Sequence, residues 1–369
     1  MCRVYFLIGT VAELIKIAPV VAELNNRKID YEIISSGQND LSNIALYKGF
    51  IKPPTLILNA QPKHKTPLSL LTWFMATFLM GIPKIFRHAG NRASRSKKIM
   101  LVHGDTITTL MGAILGKIAG MKVGHIEAGL RSGNLLDPFP EEIDRVLTSY
   151  FANYHFCPGE WAANNLKGRS GLIINTQFNT NIESLSIGLQ NSGDQTQIPL
   201  IDEEDFFIFI MHRQENLINA DLVRTILNVV ANESAKRKCL FIIHDPTRHK
   251  LKELGLSELV FSNPNIHTTE RLSHENFIKV LKKCSFIMTD GGGNQEECYY
   301  LGVPCLLLRK VSERLEGLGE NVFLSHNDPE KIKYFIENFP SFLRPAIAFE
   351  KSPSEIIVDT LSSFLNSGK

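Results

Sequence analysis

The sequence predicts an α/β protein made of two doubly wound halves, and three observations carry that expectation. Short apolar runs recur along the chain, helix-length amphipathic stretches separate most of them, and the alternation starts again after the break K-G-R-S-G near Lys167–Ser170. Strands and helices alternating in this way form parallel sheets covered by helices on both faces. A chain of 369 residues is too long for one ordinary core and suits two. The expected division is a Rossmann-like domain over residues 1–168 and a second over 169–349, facing each other across a cleft, with a terminal helical segment over 350–369.

In the first half the strand-like runs are Val4–Ile8, Tyr31–Ser35, Ile99–His103, Lys122–Ile126 and Tyr154–Cys157. The first runs into G-T-V-A-E-L-I-K-I-A-P, where Gly9 allows a tight turn into a helix whose N-terminus favours anions, and Lys16 lies about two turns further on. Between Tyr31–Ser35 and Ile99–His103 stands an uncharged stretch, Thr66–Pro83, flanked by basic residues on both sides. Its prolines, Pro67 and Pro83, leave it short of the roughly 20 apolar residues that span a bilayer. Its apolar residues Leu70, Leu71, Trp73, Phe74, Phe78, Leu79 and Met80 cover nearly all helical faces, so it must be buried in the core, against a partner subunit or on a membrane surface.

The next two runs end in V-H-G-D-T (Val102–Thr106) and G-H-I-E-A-G-L-R-S-G (Gly124–Gly133), and P-F-P-E-E-I-D-R (Pro138–Arg145) follows. Loops at the carboxyl ends of parallel strands converge on one crevice, so these acids, His and Arg residues point to an enzyme working by acid/base chemistry.

In the second half the strand-like runs are Phe206–Met211, Cys239–His244, Phe286–Thr289 and Val303–Leu308. Phe206–Met211 leads into H-R-Q-E-N, where His212 and Arg213 suit a phosphate. Phe286–Thr289 leads into Gly291, Gly292 and Gly293 and then a helix, a junction that offers backbone N–H groups to a diphosphate. Glu296 and Glu297 are read as first-turn acids there, either capping the helix or accepting from ribose hydroxyls. His244 also ends a strand but has no partner motif. Ser354–Leu365 reads as a terminal helix.

Composition narrows the class. Lys+Arg 40 against Asp+Glu 38 gives a formal charge of +2, which supplies no field for nucleic acid. The six cysteines, Cys2, Cys157, Cys239, Cys284, Cys298 and Cys305, are scattered without ligand spacing, so they read as thiols of a reducing cytoplasm and not as a metal site. The N-terminal region lacks a signal-peptide cleavage pattern, which adds to the cytoplasmic expectation.

Together the motifs resemble the non-hydrolysing branch of the UDP-N-acetylglucosamine 2-epimerase family. G-T-V-A-E-L-I-K-I-A-P, V-H-G-D-T, G-H-I-E-A-G-L-R, P-E-E-I-D-R, H-R-Q-E-N and T-D-G-G-G-N-Q-E-E match it in order along nearly the whole chain. The resemblance implies a glycosyltransferase-B-like fold, UDP held mainly by the second domain, a C-terminal helix crossing back onto the first, and homodimerisation through the first. It implies no cofactor. Asp105, Glu127 and Glu141 match the family's catalytic acids and His212 its catalytic histidine. Lys16, Arg145, Gly292 and Glu296 fall at UDP-binding positions, with Gly9, Arg213, Gly291 and Gly293 beside them.

The implied chemistry follows from the substrate. The C2 proton of an N-acetylhexosamine is not beside a carbonyl, so abstraction alone gives no stabilised carbanion. The family expels UDP from C1 as that proton leaves, forms a 2-acetamidoglucal, and re-adds UDP with a proton on the other face. Two departures touch the site: Val11 stands where the family has an arginine and Gly291 where it has a serine, each removing a polar contact worth about 1–3 kcal/mol. The segment His244-Asp245-Pro246-Thr247 replaces the H-x-N-P of members regulated by a second UDP-sugar, so no such regulation is implied. Two alternatives stand beside the non-hydrolysing epimerase: a hydrolysing epimerase that releases UDP and free N-acetylmannosamine, and an inactive UDP-sugar-binding protein.

Overall fold

The computed structural model describes residues 3–41, 51–62, 67–90, 95, 97–135, 139–190, 199–203 and 205–366. They form two compact units, one of Met1–Ser184 with Glu350–Lys369 and one of Leu185–Phe349.

In the first unit the order is β1 (Val4–Ile8), α1 (Val11–Asn26), β2 (Tyr31–Ser35), β3 (Leu56–Ile57), α2 (Pro67–Ala89), β4 (Ile99–His103), α3 (Ile107–Ile118), β5 (Lys122–Ile126), α4 (Glu141–Phe151), β6 (Tyr154–Cys157), α5 (Glu160–Asn164) and β7 (Leu172–Asn175), followed by α6 (Asn181–Gln190), within which the second unit begins. The seven strands make one parallel sheet in the order β3-β2-β1-β4-β5-β6-β7. Successive strand residues point to opposite faces. Val4, Phe6 and Ile8 therefore enter a core with Leu14, Ile17 and Val21 of α1, while Tyr5 and Leu7 enter another with Trp73, Met111 and Leu115. β7 joins this sheet beyond β6, so the first unit extends past the expected boundary at residue 168: K-G-R-S-G is a loop within the unit.

The terminal helix belongs to this unit as well. α14 (Pro353–Asn366) sets Ile357, Val358 and Leu361 into the core of α1, each buried side chain worth about 1.5–3 kcal/mol. Arg27 pairs with Asp359 at 2.5 Å, and Ser354 N–H donates to Glu183 at 2.9 Å.

The apolar segment departs from its expectation. Pro67 opens α2 at the first position, where a missing N–H costs nothing, and the helix runs on through Pro83 to Ala89. Its stretch Ser69–Ala89 is long and apolar enough, by length and composition, to cross a membrane. One face is nonetheless packed in the unit's own core: Trp73 is 7% exposed and Ile85 1%, and Trp73 Nε1 donates to Ala60 O at 2.7 Å. Gly81 lets α2 close on α3, since a Cβ there would stand 3.1 Å from Leu115. The other face carries Leu71 at 54%, Met75 at 49% and Leu79 at 61% exposure, so the helix is buried on one side and not all round.

The second unit repeats the pattern with β8 (Phe206–Ile210), α7 (Gln214–Leu217), α8 (Ala220–Ser234), β9 (Lys238–Ile242), α9 (Asp245–Glu253), α10 (Ser257–Phe261), β10 (Ile266–Thr269), α11 (His274–Lys283), β11 (Phe286–Thr289), α12 (Gly292–Leu301), β12 (Cys305–Leu307), β13 (Val322–Leu324) and α13 (Pro329–Asn338). Its six strands are parallel in the order β10-β9-β8-β11-β12-β13. Phe207 and Phe209 of β8 anchor its core with Val223, Ile226, Phe241 and Phe286.

Candidate active site

Doubly wound sheets bind ligands outside the carboxyl ends of their strands, where the strand order reverses. That point lies between β1 and β4 in the first unit and between β8 and β11 in the second. The motif residues collect at these two places.

In the first unit the loops after β1 and β4 are tied together by Glu13, a residue the sequence reading left unassigned. Its carboxylate accepts from the N–H of Gly9 at 2.8 Å and of Thr10 at 2.7 Å, and from the Thr106 hydroxyl at 2.8 Å. Burial pushes the Glu13 carboxyl above its ordinary range despite those donors. A Cβ on Gly9 would stand 2.3 Å from Thr108 Oγ1 and 2.7 Å from Ser36 Oγ, so the neighbouring loops already fill the space a side chain would need.

β4 ends at His103, and Gly104, at a φ of +71°, turns the chain so that Asp105 leads into α3. His125 fixes that turn. Burial pushes its pKa down to about 3, so the ring is neutral and Nε2 donates to Gly104 O at 2.7 Å. Asp105 Oδ2 accepts from Arg145 Nη2 at 2.5 Å, and Arg145 Nη1 donates to Glu142 Oε2 at 2.8 Å. Arg145 is thus a buried cation between two carboxylates. Glu141 occupies the first turn of α4, where a negative charge suits the helix dipole, and Asp144 stands one turn later.

Glu127 follows β5 with a φ of +65°, a left-handed conformation uncommon for such a residue. Lys16 donates to its Oε2 at 2.6 Å, and the Asn179 amide donates to the same oxygen. Lys16, Asp105, Glu127 and Arg145 are therefore held in two ion pairs at the strand ends, Lys16 with Glu127 and Arg145 with Asp105. Backbone strain of this kind gathers at functional sites.

In the second unit Asp290 organises the switch point. Its carboxylate accepts from the N–H of His212 at 3.0 Å and of Arg213 at 2.9 Å, and from Asn216 Nδ2 at 3.2 Å, while His212 Nδ1 lies 3.2 Å from it. Burial alone would raise the Asp290 carboxyl; these donors and the His212 ring hold it below its ordinary range. The His212 ring stacks on His244 with centroids 4.7 Å apart. Arg213 Nε contacts Glu215 at 2.6 Å.

The glycine loop opens α12, which begins at Gly292 with Gly291 as its cap. Gly291 N–H donates to Thr289 Oγ1 at 3.0 Å, and a Cβ on Gly293 would meet nothing within 4 Å. Because the helix starts at Gly292, Glu296 and Glu297 fall on its second turn and not the first, and the capping reading fails. Glu296 is fully buried, with Arg314 Nη1 at 3.3 Å and the Tyr300 hydroxyl at 3.3 Å. Arg314 belongs to the loop after β12, which also carries Arg309 and Glu313, paired at 2.7 Å. The sequence reading passed over this loop, although R-K-V-S-E-R (Arg309–Arg314) places two arginines and a glutamate just past a strand. Asn179, Asp144 and Asp290 were likewise not singled out. Among the described residues no group of His, Cys, Asp and Glu has the geometry of a metal site.

The model of the UDP-N-acetylglucosamine 2-epimerase family matches residues 22–346. The chain is 33% identical over 351 residues to the UDP-N-acetylglucosamine 2-epimerase of Methanococcus maripaludis, covering 91% of each chain. It is 33% identical over 333 residues to that of Salmonella borreze, covering 86% of this chain and 84% of the relative. Among solved structures, the Methanocaldococcus jannaschii UDP-GlcNAc 2-epimerase in complex with UDP-GlcNAc and UDP superposes with a TM-score of 0.79 at 28% identity, covering 98% of this chain and 99% of that one. The Neisseria meningitidis enzyme bound to UDP-GlcNAc gives 0.79 at 26% identity, with the same coverage.

Proposed function

The chain belongs to the UDP-N-acetylglucosamine 2-epimerase family, and from that membership we propose that it inverts C2 of UDP-N-acetylglucosamine, or of a modified relative, without net hydrolysis. A carboxylate of the first unit takes the C2 proton, the C1–O bond breaks with its electron pair passing to the β-phosphate of UDP, and a C1=C2 double bond forms. UDP then re-adds at C1 while C2 takes a proton on its opposite face. The observation that carries this reading is the set of acids beyond β4 and β5: Asp105 held by Arg145, Glu127 held by Lys16, and Glu141 at a helix start. His212 and the N–H groups of Gly292 and Gly293 are the groups we assign to the departing diphosphate, with Gly291, whose N–H holds Thr289, shaping the turn, and Glu296 and Arg213 in support. The product would feed cell-surface polysaccharide synthesis from a cytoplasmic enzyme.

Incubation with UDP-N-acetylglucosamine in deuterated water is expected to place deuterium at C2 of both epimers with UDP remaining esterified, as followed by NMR. Accumulation of UDP and free N-acetylmannosamine would instead show a hydrolysing enzyme, and unchanged substrate would leave only binding.

We assign a homodimer contact to the outward stripe of α2, Leu71, Met75 and Leu79, which exposes large apolar side chains four residues apart. Leu71→Glu with Leu79→Glu is expected to give monomers in light scattering with an unchanged circular dichroism spectrum. Trp73→Glu should unfold the unit, because it would bury a charge among Tyr5, Leu7 and Leu115. A dimer that survives the double change but loses binding to anionic vesicles would make the stripe a membrane contact.

A further inference from the structure

The mechanism does not use the buried acid that lies on α4 beside Glu141. Asp144 lies on α4 one turn after Glu141 and directly before Arg145, and it is 5% exposed. Among the described residues its Oδ2 has no hydrogen-bond partner, whereas Arg145, its neighbour in sequence, is fully engaged by Asp105 and Glu142. A buried carboxylate with an unanswered oxygen is costly, and the cheap remedy is a proton.

The charges around it favour the same remedy. The charge of Asp105 acts on it from the loop after β4, and Glu141 and Arg145 act on it from its own helix. α3 packs along α4, and its one titratable group, Lys117, sits at the far end on Asn153. Among the described residues, Arg131 and Glu142 are further charged groups near Arg145. Burial first, then the two carboxylates, push the Asp144 carboxyl up to about 7, with Arg145 opposing.

We propose that Asp144 is a proton-holding positioning residue that keeps one proton in the Asp105–Glu141–Asp144 cluster. This rests on the epimerase reading above. A reaction that removes a proton from one face of C2 and returns one to the other needs an acid and a base in the same turnover. A proton parked on Asp144 meets that need without leaving the site: the O–H bond at Asp144 breaks as one forms at Asp105 or Glu141, and the transfer reverses when the cluster regains the substrate's proton. Exchange among three carboxylates involves no redox partner and leaves net charge unchanged.

The test is a carbon-13 NMR titration of the full-length protein with labelled aspartate, paired with kinetics. One carboxyl resonance should titrate near neutral pH, vanish in Asp144→Asn, and move to lower pH in Asp105→Asn, where a like charge is lost and Arg145 is released. In Asp144→Asn the limb of the kcat profile near neutral pH should shift by a unit or more while KM stays within about twofold. If no aspartate titrates near neutral pH, or if the resonance survives in Asp144→Asn, the proposal falls. It also falls if the titration is present but the kcat profile is the same with and without Asp144. Should the native protein not epimerise at all, the function proposed above fails, and the two titration results still decide whether Asp144 holds the proton.

Discussion

Replacing Asp105, Glu127 or Glu141 by its amide is expected to cut turnover of UDP-N-acetylglucosamine by ~100-fold or more with UDP affinity little changed. An amide keeps the shape and hydrogen-bond reach of the carboxyl but can neither take nor give a proton. The surroundings of each residue make the substitutions structurally mild. Arg145 keeps Glu142 as counter-ion when Asp105 becomes Asn, and Asn179 stays beside position 127 when Glu127 becomes Gln. Calorimetric titration with UDP separates binding from chemistry, because the nucleotide lacks the sugar on which the proton moves. Near-normal turnover in all three variants would end the assignment of proton transfer to this cluster.

These acids were legible because they sit in loops directly after long apolar strands, and the strands were legible because they are central. β1, β4, β8 and β11 are nearly continuous apolar runs, as strands buried on both faces must be, and β5 is buried from Val123 to Ile126. The strands that escaped are β3, β7, β10 and β13, and each is the edge of a sheet. An edge strand packs on fewer neighbours, so it can be short and mixed: Leu172–Asn175 is half exposed, and Leu56–Ile57 is only two residues long. Missing β7 is what drew the domain boundary too early.

The site was legible by position more than by contact. The placing of Asp105, Glu127 and His212 at strand ends follows from alternation alone. Which cation each acid meets does not, because Lys16 reaches Glu127 across 111 residues of sequence and Arg145 reaches Asp105 across 40. Glu13 and Asp290 stood inside quoted motifs and still looked like ordinary acids. What distinguishes them is complete burial with several N–H or hydroxyl donors converging on one carboxylate, a property of loops meeting in space. The helix α2 was misjudged for a similar reason, since apolar residues on every face do not reveal that Trp73, Thr77, Gly81, Ile85 and Ala89, each four residues from the next, form its buried stripe, with Phe74, Phe78, Ile82 and Phe86 packed beside it.

Asp290→Asn is expected to destabilise the second unit by about 3–5 kcal/mol, since it removes a buried charge on which the His212 and Arg213 N–H groups and the Asn216 amide all converge. The loss should depend on pH with a definite sign. The Asp290 carboxyl is held below its ordinary value of 3.8 in the folded protein, so its contribution is present above that value and disappears as pH falls through the lower folded one. Chemical denaturation should therefore show a constant gap between native and variant proteins at pH 5 to 8 that narrows below pH 4. A gap under about 1 kcal/mol at neutral pH, or one that does not narrow in acid, would mean that Asp290 does not organise the loop. Its functional counterpart is His212, whose backbone Asp290 holds. Asp290→Asn should weaken UDP binding and turnover together, because it lets the whole H-R-Q-E-N loop shift. His212→Asn leaves the backbone donors in place, so it should slow glycal formation far more than it weakens binding: negative charge grows on the diphosphate mainly as the C1–O bond breaks, and a group that answers that charge acts on the transition state. Equal losses in affinity and in kcat for His212→Asn would make the ring a ground-state ligand and remove it from the departure of UDP.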